Sequence, residues 1–469
     1  MIFGRTKETE RLRNAYKSEY SSFVAVYGRR RIGKTFLIRE TFDYKFAFQH
    51  AGISKGTKEE QIKEFCKSIL KAGYKEISEK DFVYPDNWLE AFYLLEKFLL
   101  TLPKGKKIVF IDELSWMDTQ KSGLVTALEN FWNGWASARK DIMLIVCASA
   151  TSWMLDNIIH NKGGLYNRLT ERIHLDQFTL KECKEFIKSN NISMNDYQIL
   201  ECYMIMGGVP YYWTLLKKSL SLPQNIDRIF FSKDAPLRDE FEYLYRALFN
   251  KPEKYLEIIN AFARKKAGLT REELSEILKT DFSGGISKRL DDLEACGFIR
   301  KYTEFEKKNR GAVYQIFDNF TLFYFKFMAK SPTDEHFWEN QISSPSLNAW
   351  RGIAFERVCL QHISQIKKKL GISGVLTDVC SWSCKANPDK GLNGSQIDLL
   401  IVRKDQVINL CEMKYALGEF TVTKQVDESL RKKMSDLYTA TNTKFAVHKT
   451  IITTYGLADN SYSGTIQSC

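Results

Sequence analysis

The sequence predicts an α/β fold with a parallel sheet, followed towards the C-terminus by a second, smaller α/β domain. Three short apolar runs, within residues 21–27, 106–113 and 142–148, have the length and composition of buried parallel strands. Each run ends in a polar or glycine-rich segment. Two later apolar runs, 396–402 and 407–414, are separated by a tight polar turn at 403–406 and predict a hairpin.

The first strand leads directly into a phosphate-binding loop. Gly28 and Gly33 meet the pattern G-x-x-x-x-G-K-[ST], and they let backbone N–H groups approach phosphate oxygens closely. Lys34 supplies a charge for the β- and γ-phosphates, and Thr35 supplies a hydroxyl for Mg²⁺. The next segment suits a helix with its N-terminus towards the phosphates. We therefore expect ATP and Mg²⁺ as cofactors, and nucleotide contacts from Gly28, Arg29, Arg30, Arg31, Ile32, Gly33, Lys34, Thr35 and Phe36.

The second and third strands end in residues suited to ATP hydrolysis. Asp112 is predicted to hold Mg²⁺, usually through water, and Glu113 to polarise the attacking water. Ser149, after the third strand, is a candidate contact to the γ-phosphate or to that water. The alternative interpretation of Ser149 is the N-cap of a helix. Further on, Arg168 or Arg172 is a candidate arginine finger on the transition-state charge.

Several ordered motifs resemble a known group. These are Ile2-Phe3-Gly4-Arg5 with Glu8, the loop Gly-Arg-Arg-Arg-Ile-Gly-Lys-Thr, Ile-Asp-Glu, and Gly207-Gly208-Val209-Pro210. Over residues 1–330 the chain resembles the prokaryotic, archaeal-type AAA-related ATPases of the STAND class. The resemblance implies a P-loop NTPase sheet with a helical lid, Phe3, Gly4 and Arg5 near the adenine, and Pro210 near the nucleotide. Asn167 departs from the glycine that relatives carry before the arginine, so Arg172 remains a candidate beside Arg168.

Composition favours a cytoplasmic multidomain enzyme. The 469 residues suffice for three domains, and neither a signal peptide nor a membrane-spanning run is expected. The ten cysteines are predicted to be reduced thiols. Cys380 and Cys384 could form one half of a zinc site, but no second pair of ligands has suitable spacing. The net charge of +12 favours a polyanion such as DNA as partner, although it could equally serve solubility. A second copy of the chain or another protein is the alternative partner.

We expect five regions along the chain. They are the P-loop ATPase core (1–178), an α-helical lid (179–250), a winged helix (251–330), a linker (331–346) and a nuclease-like domain (347–469). The winged helix is predicted from a capping box at Thr270 and Glu273, a helix through 286–296, and a hairpin that turns at 307–311. Its recognition helix would begin with Ser287, Lys288 and Arg289 and contact DNA, with protein docking as the alternative.

The C-terminal hairpin brings charged residues together within apolar strands. Alternation along a strand puts Glu412 and Lys414 on one face, and the turn sets Asp398 opposite residue 411 or 412. Charges placed in apolar surroundings cost desolvation and usually mark a site. Asp398 and Glu412 could hold Mg²⁺ on a scissile phosphate, with Lys414 acting on the water or the developing charge. A structural salt bridge of Lys414 is the alternative.

This pattern resembles the PD-(D/E)XK nuclease superfamily over residues 347–469 and implies a restriction-endonuclease-like α/β fold. The resemblance adds Glu356 as a helical metal ligand and Gln425 as a glutamine from a downstream helix. The expected function is ATP hydrolysis coupled to metal-dependent cleavage or binding of nucleic acid, as in defence or mobile-element control. The alternative is a nucleotide-dependent switch that docks protein partners and carries an inactive nuclease-like module.

Overall fold

A computed structural model describes residues 2–75, 82–249, 251–265, 267–279, 284–306, 311–330, 332–342 and 344–469. The chain divides into two compact units. The first contains Met1–Ser189, Val209–Thr214 and Arg246–Asn250, and the second contains Asn190–Gly208, Leu215–Tyr245 and Lys251–Cys469. The segment expected to form a helical lid is therefore shared between the two units. No helix of the described residues is long and apolar enough to cross a membrane.

A parallel sheet organises the first unit. The elements up to residue 189 are α1 (Thr6–Lys17), β1 (Ser22–Tyr27), α2 (Lys34–Thr41), β2 (Phe48–Ala51), α3 (Lys58–Lys71), α4 (Trp88–Thr101), β3 (Lys107–Asp112), α5 (Leu114–Met117), α6 (Leu124–Asn130), β4 (Ile142–Ala148), α7 (Thr151–Met154), β5 (Glu171–His174) and α8 (Leu180–Ser189). The strands lie in the order β2-β3-β4-β1-β5, and all their pairings are parallel. Strand β4 is therefore inserted between β1 and β3.

Helices cover both faces of this sheet, so its central strands carry apolar residues on both faces. Along β1, Phe23 and Ala25 pack into a cluster with residues of α3, α4 and α6. Val24 and Val26, on the opposite face, pack with residues of α1 and α2. The three apolar runs expected as buried strands are β1, β3 and β4, and parallel pairing brings their C-terminal ends to one edge of the sheet.

The rest of the chain is a succession of helices and two further sheets. Its elements are α9 (Asp196–Met206), α10 (Pro210–Thr214), α11 (Leu222–Ile226), α12 (Glu240–Leu248), α13 (Pro252–Arg264), β6 (Leu269–Thr270), α14 (Arg271–Leu278), α15 (Gly284–Ala295), β7 (Ile299–Tyr302), β8 (Val313–Ile316), α16 (Asn319–Phe323), α17 (Phe337–Gln341), α18 (Pro345–Gln361), α19 (Ile363–Lys369), β9 (Thr377–Cys384), β10 (Ser395–Arg403), β11 (Val407–Lys414), α20 (Lys424–Thr441) and β12 (Ala446–Thr453). Helix α10 belongs to the first unit.

Short turns of other helix types adjoin several of these elements. The π-helical turns are Phe131–Trp135, Leu155–Ile159, Asp227–Phe231 and Tyr324–Met328, and the 3₁₀ turns are Ala136–Ala138, Pro388–Lys390 and Ser463–Thr465. Each π-helical turn directly follows a short α-helix, so these helices end in a wider last turn.

Residues 251–330 have the element order expected of a winged helix. Helix α13 is followed by β6, then by α14, α15, β7 and β8, and the three strands form a small antiparallel sheet with the order β6-β8-β7. The predicted capping box at the start of α14 is confirmed, since the Thr270 side chain accepts from Glu273 N and the Glu273 side chain accepts from Thr270 N. Of the predicted hairpin turn at 307–311, residues 307–310 lie outside the described residues.

The C-terminal sheet has the order β12-β11-β10-β9, with β11 and β12 parallel and the other pairings antiparallel. Its hairpin turns between Arg403 and Val407, as the sequence predicted. The segment expected as a linker contains helical structure anchored by one buried residue. It contains α17, whose Trp338 is buried and whose backbone N–H bonds to Asp227 at 2.7 Å, and Pro345 already begins α18.

Candidate functional site

The phosphate-binding loop joins the end of β1 to the start of α2. Gly28 has φ of 140°, and a Cβ there would lie 2.4 Å from Leu175 O, so only glycine fits this turn. Gly33 has φ of 85°, and a Cβ there would enter open space within the loop. Glycine is therefore needed at the two predicted positions for different reasons. At Gly28 a side chain would collide with Leu175 O, and at Gly33 glycine permits the left-handed turn before α2.

Lys34 is a buried cation held by neutral oxygens. Its Nζ donates to Gly28 O at 2.9 Å, to Arg29 O at 3.0 Å and to Ser149 Oγ at 3.0 Å. The side chain is only 5% exposed, and among the described residues these neutral groups are its hydrogen-bond partners. A buried ammonium without a carboxylate partner is costly unless an anion binds beside it. The residues present therefore fit a polyphosphate.

The strand order places Ser149 between the phosphate-binding loop and the acidic end of β3. Ser149 Oγ donates to Glu113 Oε1 at 2.7 Å while it accepts from Lys34, so one hydroxyl links the cation and the carboxylate. Ser149 does not cap the next helix, because α7 starts after Ala150 without a side-chain cap. Glu113 itself has φ of 47°, a left-handed conformation that is uncommon for glutamate and that occurs at functional sites.

Thr35 and Asp112 provide the oxygen ligands that Mg²⁺ prefers. Thr35 Oγ1 donates to Asp112 Oδ2 at 2.7 Å, and the other carboxylate oxygen accepts from Glu113 N at 3.0 Å. Asp112 is 5% exposed at the tip of β3. A hydroxyl and a carboxylate already within hydrogen-bond distance form a donor set of hard oxygens, which fits Mg²⁺.

The remaining predicted residues of the first unit are spread around this loop. Arg31 lies over the Tyr211 ring at 4.5 Å and its carbonyl accepts from Tyr211 N at 3.4 Å, which brings the segment starting at Pro210 beside the loop. Arg29 and Ile32 are buried, Arg30 is half-buried, and Phe36 is exposed on α2.

The N-terminal box and the arginine-finger candidates lie farther along the unit. Phe3 makes an edge contact with Phe186, and a Cβ on Gly4 would collide with Glu182. Arg5 is buried, donates to Asp176 O and stacks over Phe178 at 4.8 Å. Arg168 and Arg172 are both exposed, one in the loop before β5 and one on β5. Their assignment as a finger stays a prediction.

The C-terminal sheet brings together the charged residues predicted there. Leu399 pairs with Cys411, so one further step of the register sets Asp398 opposite Glu412. Both oxygens of Glu412 are in ion pairs, with Lys414 Nζ at 2.8 Å and with Lys433 Nζ at 2.8 Å. Burial raises the pKa of Glu412, but the two lysines outweigh it and the pKa is lowered.

Glu356 approaches this group from helix α18. Burial first, and then the negative charge of Asp398, raise the pKa of Glu356 to about 7, with Glu412 adding to the effect. The three half-buried carboxyl groups repel one another, and a divalent cation would relieve that repulsion. Among the described residues, their ligand atoms do not all lie within 4.8 Å of one another. The oxygens of Glu356, Asp398 and Glu412 suit Mg²⁺ by their chemistry, but a cation would have to draw the three residues closer and compete with the two lysines for Glu412.

Helix α20 contributes a lysine that the sequence analysis missed. Gln425, expected at the site, is exposed in the first turn of α20, whereas Lys433 lies two turns later and contacts Glu412. Gln396, also not predicted, donates to Asp398 Oδ1 at 2.8 Å. A lysine within a long charged helix carries no signal in the sequence, because only the packing of α20 on the sheet selects which turn faces Glu412.

Another acidic group in the same unit is explained by local structure. Asp227, His336 and Glu339 place potential metal-ligating atoms within 4.8 Å of one another. However, Asp227 accepts N–H bonds from Trp338 at 2.7 Å and Glu339 at 3.0 Å, and therefore anchors the first turn of α17. His336 and Glu339 bond each other on the surface at 2.9 Å. We assign this group to the packing of α17.

Comparisons with known proteins bear mainly on the first unit. Residues 2–216 match the model of a family described as an ATPase domain predominantly from Archaea. A curated, uncharacterized protein of Methanocaldococcus jannaschii is 23% identical over 442 residues, which cover 93% of this chain and 91% of that protein.

Two solved structures are also similar. A Walker-type ATPase of Pyrococcus abyssi is 16% identical and covers 70% of this chain and 96% of its own, with a TM-score of 0.48. The ORC2 protein of Aeropyrum pernix is 13% identical and covers 77% of this chain and 96% of its own, with a TM-score of 0.42. The family match, together with the phosphate-binding loop, shows that the chain contains an archaeal-type P-loop ATPase domain.

Proposed function

We propose that the first unit binds MgATP and hydrolyses it. The observation that carries this proposal is the hydrogen-bonded chain from Lys34 through Ser149 to Glu113 at the ends of three adjacent strands. Lys34 would bind the β- and γ-phosphates, while Thr35 and Asp112 would hold Mg²⁺, which supplies charge stabilisation when bound. Glu113 would accept a proton from the attacking water, and Ser149 would hold that carboxylate in place.

Two substitutions separate nucleotide binding from hydrolysis. Lys34→Ala should abolish tight ATP binding, since the phosphates lose their buried cation. Glu113→Gln should retain ATP binding and lower turnover by roughly 10²–10⁴, the usual contribution of a positioned base. Nucleotide binding is measured with a fluorescent ATP analogue, and turnover by release of phosphate. A Glu113→Gln variant that hydrolyses ATP at the parent rate would exclude Glu113 as the base.

We further propose that the C-terminal site cleaves nucleic acid with the help of Mg²⁺. The half-buried group of Glu356, Asp398 and Glu412 favours this second function. These three carboxyl groups, on one helix and two strands, repel one another, and a bound cation would relieve the repulsion. When bound, the cation would polarise the scissile phosphate. Lys414 or Lys433 would stabilise the developing charge, and each now lies within 2.8 Å of Glu412.

Cleavage is tested with plasmid, single-stranded and branched DNA, with Mg²⁺ or Mn²⁺, and with or without ATP. Lys414→Ala should retain metal binding but reduce cleavage by roughly 10²–10⁴. Asp398→Ala should remove both, since a ligand is lost. Lys404→Ala is a matched control, because Lys404 lies in the turn of the same hairpin and its exposed side chain pairs with Asp378.

The regulatory alternative makes a different prediction. If wild-type protein cuts no DNA or RNA under any of these conditions while it still hydrolyses ATP, the C-terminal module is a docking fold and the chain acts as a nucleotide-dependent switch. We place either function in the cytoplasm, where ATP is available.

A further inference from the structure

Strand β7 of the small sheet continues onto the edge of the C-terminal sheet. Phe305 N donates to Ser381 O at 2.8 Å, and Ser381 N donates to Thr303 O at 3.4 Å. The Ser383 hydroxyl donates to Glu304 Oε1 at 2.5 Å. Phe305 also packs against the core of the C-terminal sheet. Backbone pairing therefore joins the two sheets and fixes where the side chains of β7 lie.

The junction meets the C-terminal sheet beside Asp398. The register of β9 and β10 shifts between Ile397 and Leu400, so that Asp398 and Leu399 face the single residue Ser381. Ser381 is the residue that pairs with the continuation of β7. Bulges of this kind redirect a side chain and are common beside active sites. The bulge and the junction thus bring β7 next to a proposed metal ligand.

Arg300 lies on β7, close enough to Asp398 and Glu356 for their charges to act on its guanidinium group. Its Nε donates to Gln315 Oε1 at 3.1 Å, and its Cζ lies 4.3 Å from the centre of the Tyr302 ring. Burial, and then the charge of Arg357, lower the pKa of Arg300 to about 10, while the nearby carboxylate of Asp398 opposes them. Within the described residues, the terminal nitrogens of Arg300 have no hydrogen-bond partner.

These contacts fix the orientation of the side chain but do not use its terminal nitrogens. The bond to Gln315 and the stack on Tyr302 hold the guanidinium plane. The nearby acids, Asp398 and Glu356, are the proposed ligands of the metal ion. A planar guanidinium fork matches two oxygens of a phosphate, whereas an ammonium acts as a point charge. A polyanionic substrate brought to the metal ligands would therefore meet a preoriented donor.

We propose that Arg300 binds a phosphate of the nucleic acid beside the C-terminal metal site, with Tyr302 supporting its guanidinium. This inference rests on the nuclease function proposed above. It makes the small sheet part of the substrate site, so that residues 251–330 and 347–469 act on one nucleic acid. The alternative is that Arg300 only balances the charge of Asp398 and Glu356 in the folded protein.

The test compares Arg300→Ala with Lys301→Ala. Lys301 is the matched control because it is a neighbouring cation on β7 whose exposed side chain points to the opposite face. Binding of a labelled DNA duplex is measured at several salt concentrations without a metal that supports cleavage. Arg300→Ala should weaken binding roughly ten- to hundredfold, and the salt dependence should fall by about one unit of slope. Lys301→Ala should change both much less.

Arg300→Lys is included because weak binding by Arg300→Ala could also result from misfolding of that variant. It keeps the charge but loses the fork, so it should retain the parent's thermal unfolding and bind DNA with an affinity between those of the parent and Arg300→Ala. Equal binding by the parent, Arg300→Ala and Arg300→Lys would overturn the inference even if the parent cuts DNA. A parent that binds DNA without cutting it removes only the nuclease proposal, because the Arg300 comparison is read from binding. A parent that neither binds nor cuts overturns both.

Discussion

Substitution of Ser149 by alanine is the most direct test of the ATPase site. Its hydroxyl donates to Glu113 Oε1 at 2.7 Å and accepts from Lys34 Nζ at 3.0 Å, so alanine removes both contacts at once. A hydrogen bond to a charged group contributes about 1.5–3 kcal/mol. If the bond to Glu113 is needed in the transition state, kcat should fall by roughly ten- to 150-fold, at tenfold for each 1.36 kcal/mol.

Nucleotide affinity should change much less than kcat. Lys34 keeps its bonds to Gly28 O at 2.9 Å and Arg29 O at 3.0 Å, so the cation stays in the loop without Ser149. Steady-state phosphate release gives kcat, and titration with a fluorescent ATP analogue gives affinity. Ser149→Thr keeps the hydroxyl and should retain most of the activity. Parent-like kcat in Ser149→Ala would refute the view that this hydroxyl positions Glu113.

Three further predictions concern stability and binding. Arg351→Ala should lower the free energy of unfolding by roughly 3–5 kcal/mol, because it leaves Glu201 buried without its partner at 2.6 Å. Arg403→Ala breaks a half-exposed ion pair and should lower it by about 1 kcal/mol or less. Both free energies are measured by denaturant titration. Burial raises the pKa of Asp427, but hydrogen bonds from Lys449, Arg431 and Thr465 outweigh it and lower the pKa to about 2. The stability that this provides is present above the ordinary pKa of 3.8 and is lost as pH falls through about 2. The Asp427→Asn variant should lack that loss when unfolding is measured as a function of pH. If α15 contacts DNA, Lys288→Ala with Arg289→Ala should reduce the salt dependence of binding by about one to two units of slope, and an unchanged slope would favour protein docking.

Short-range patterns in the sequence were enough to predict the local chemistry of both candidate sites. The loop from Gly28 to Thr35 predicts phosphate binding because its glycines and lysine act through local backbone geometry. Asp112 and Glu113 are recognisable because they end an apolar strand. The tight turn at 403–406 fixed the register of its hairpin, so the approach of Asp398 to Glu412 followed from strand alternation. In each case the interacting residues are neighbours along the chain or across one turn.

The residues from distant segments that complete these candidate sites are visible in the tertiary structure and not in the sequence. The insertion of β4 between β1 and β3 sets Ser149 between Lys34 and Glu113, and strand order depends on how whole helices pack on the sheet. Similarly, Lys433 contacts Glu412 where Gln425 was expected, and a junction of two sheets brings Arg300 close enough to Asp398 for their charges to interact. Such contacts join segments far apart in sequence, so they depend on the packing of entire elements and leave no periodic pattern in the chain.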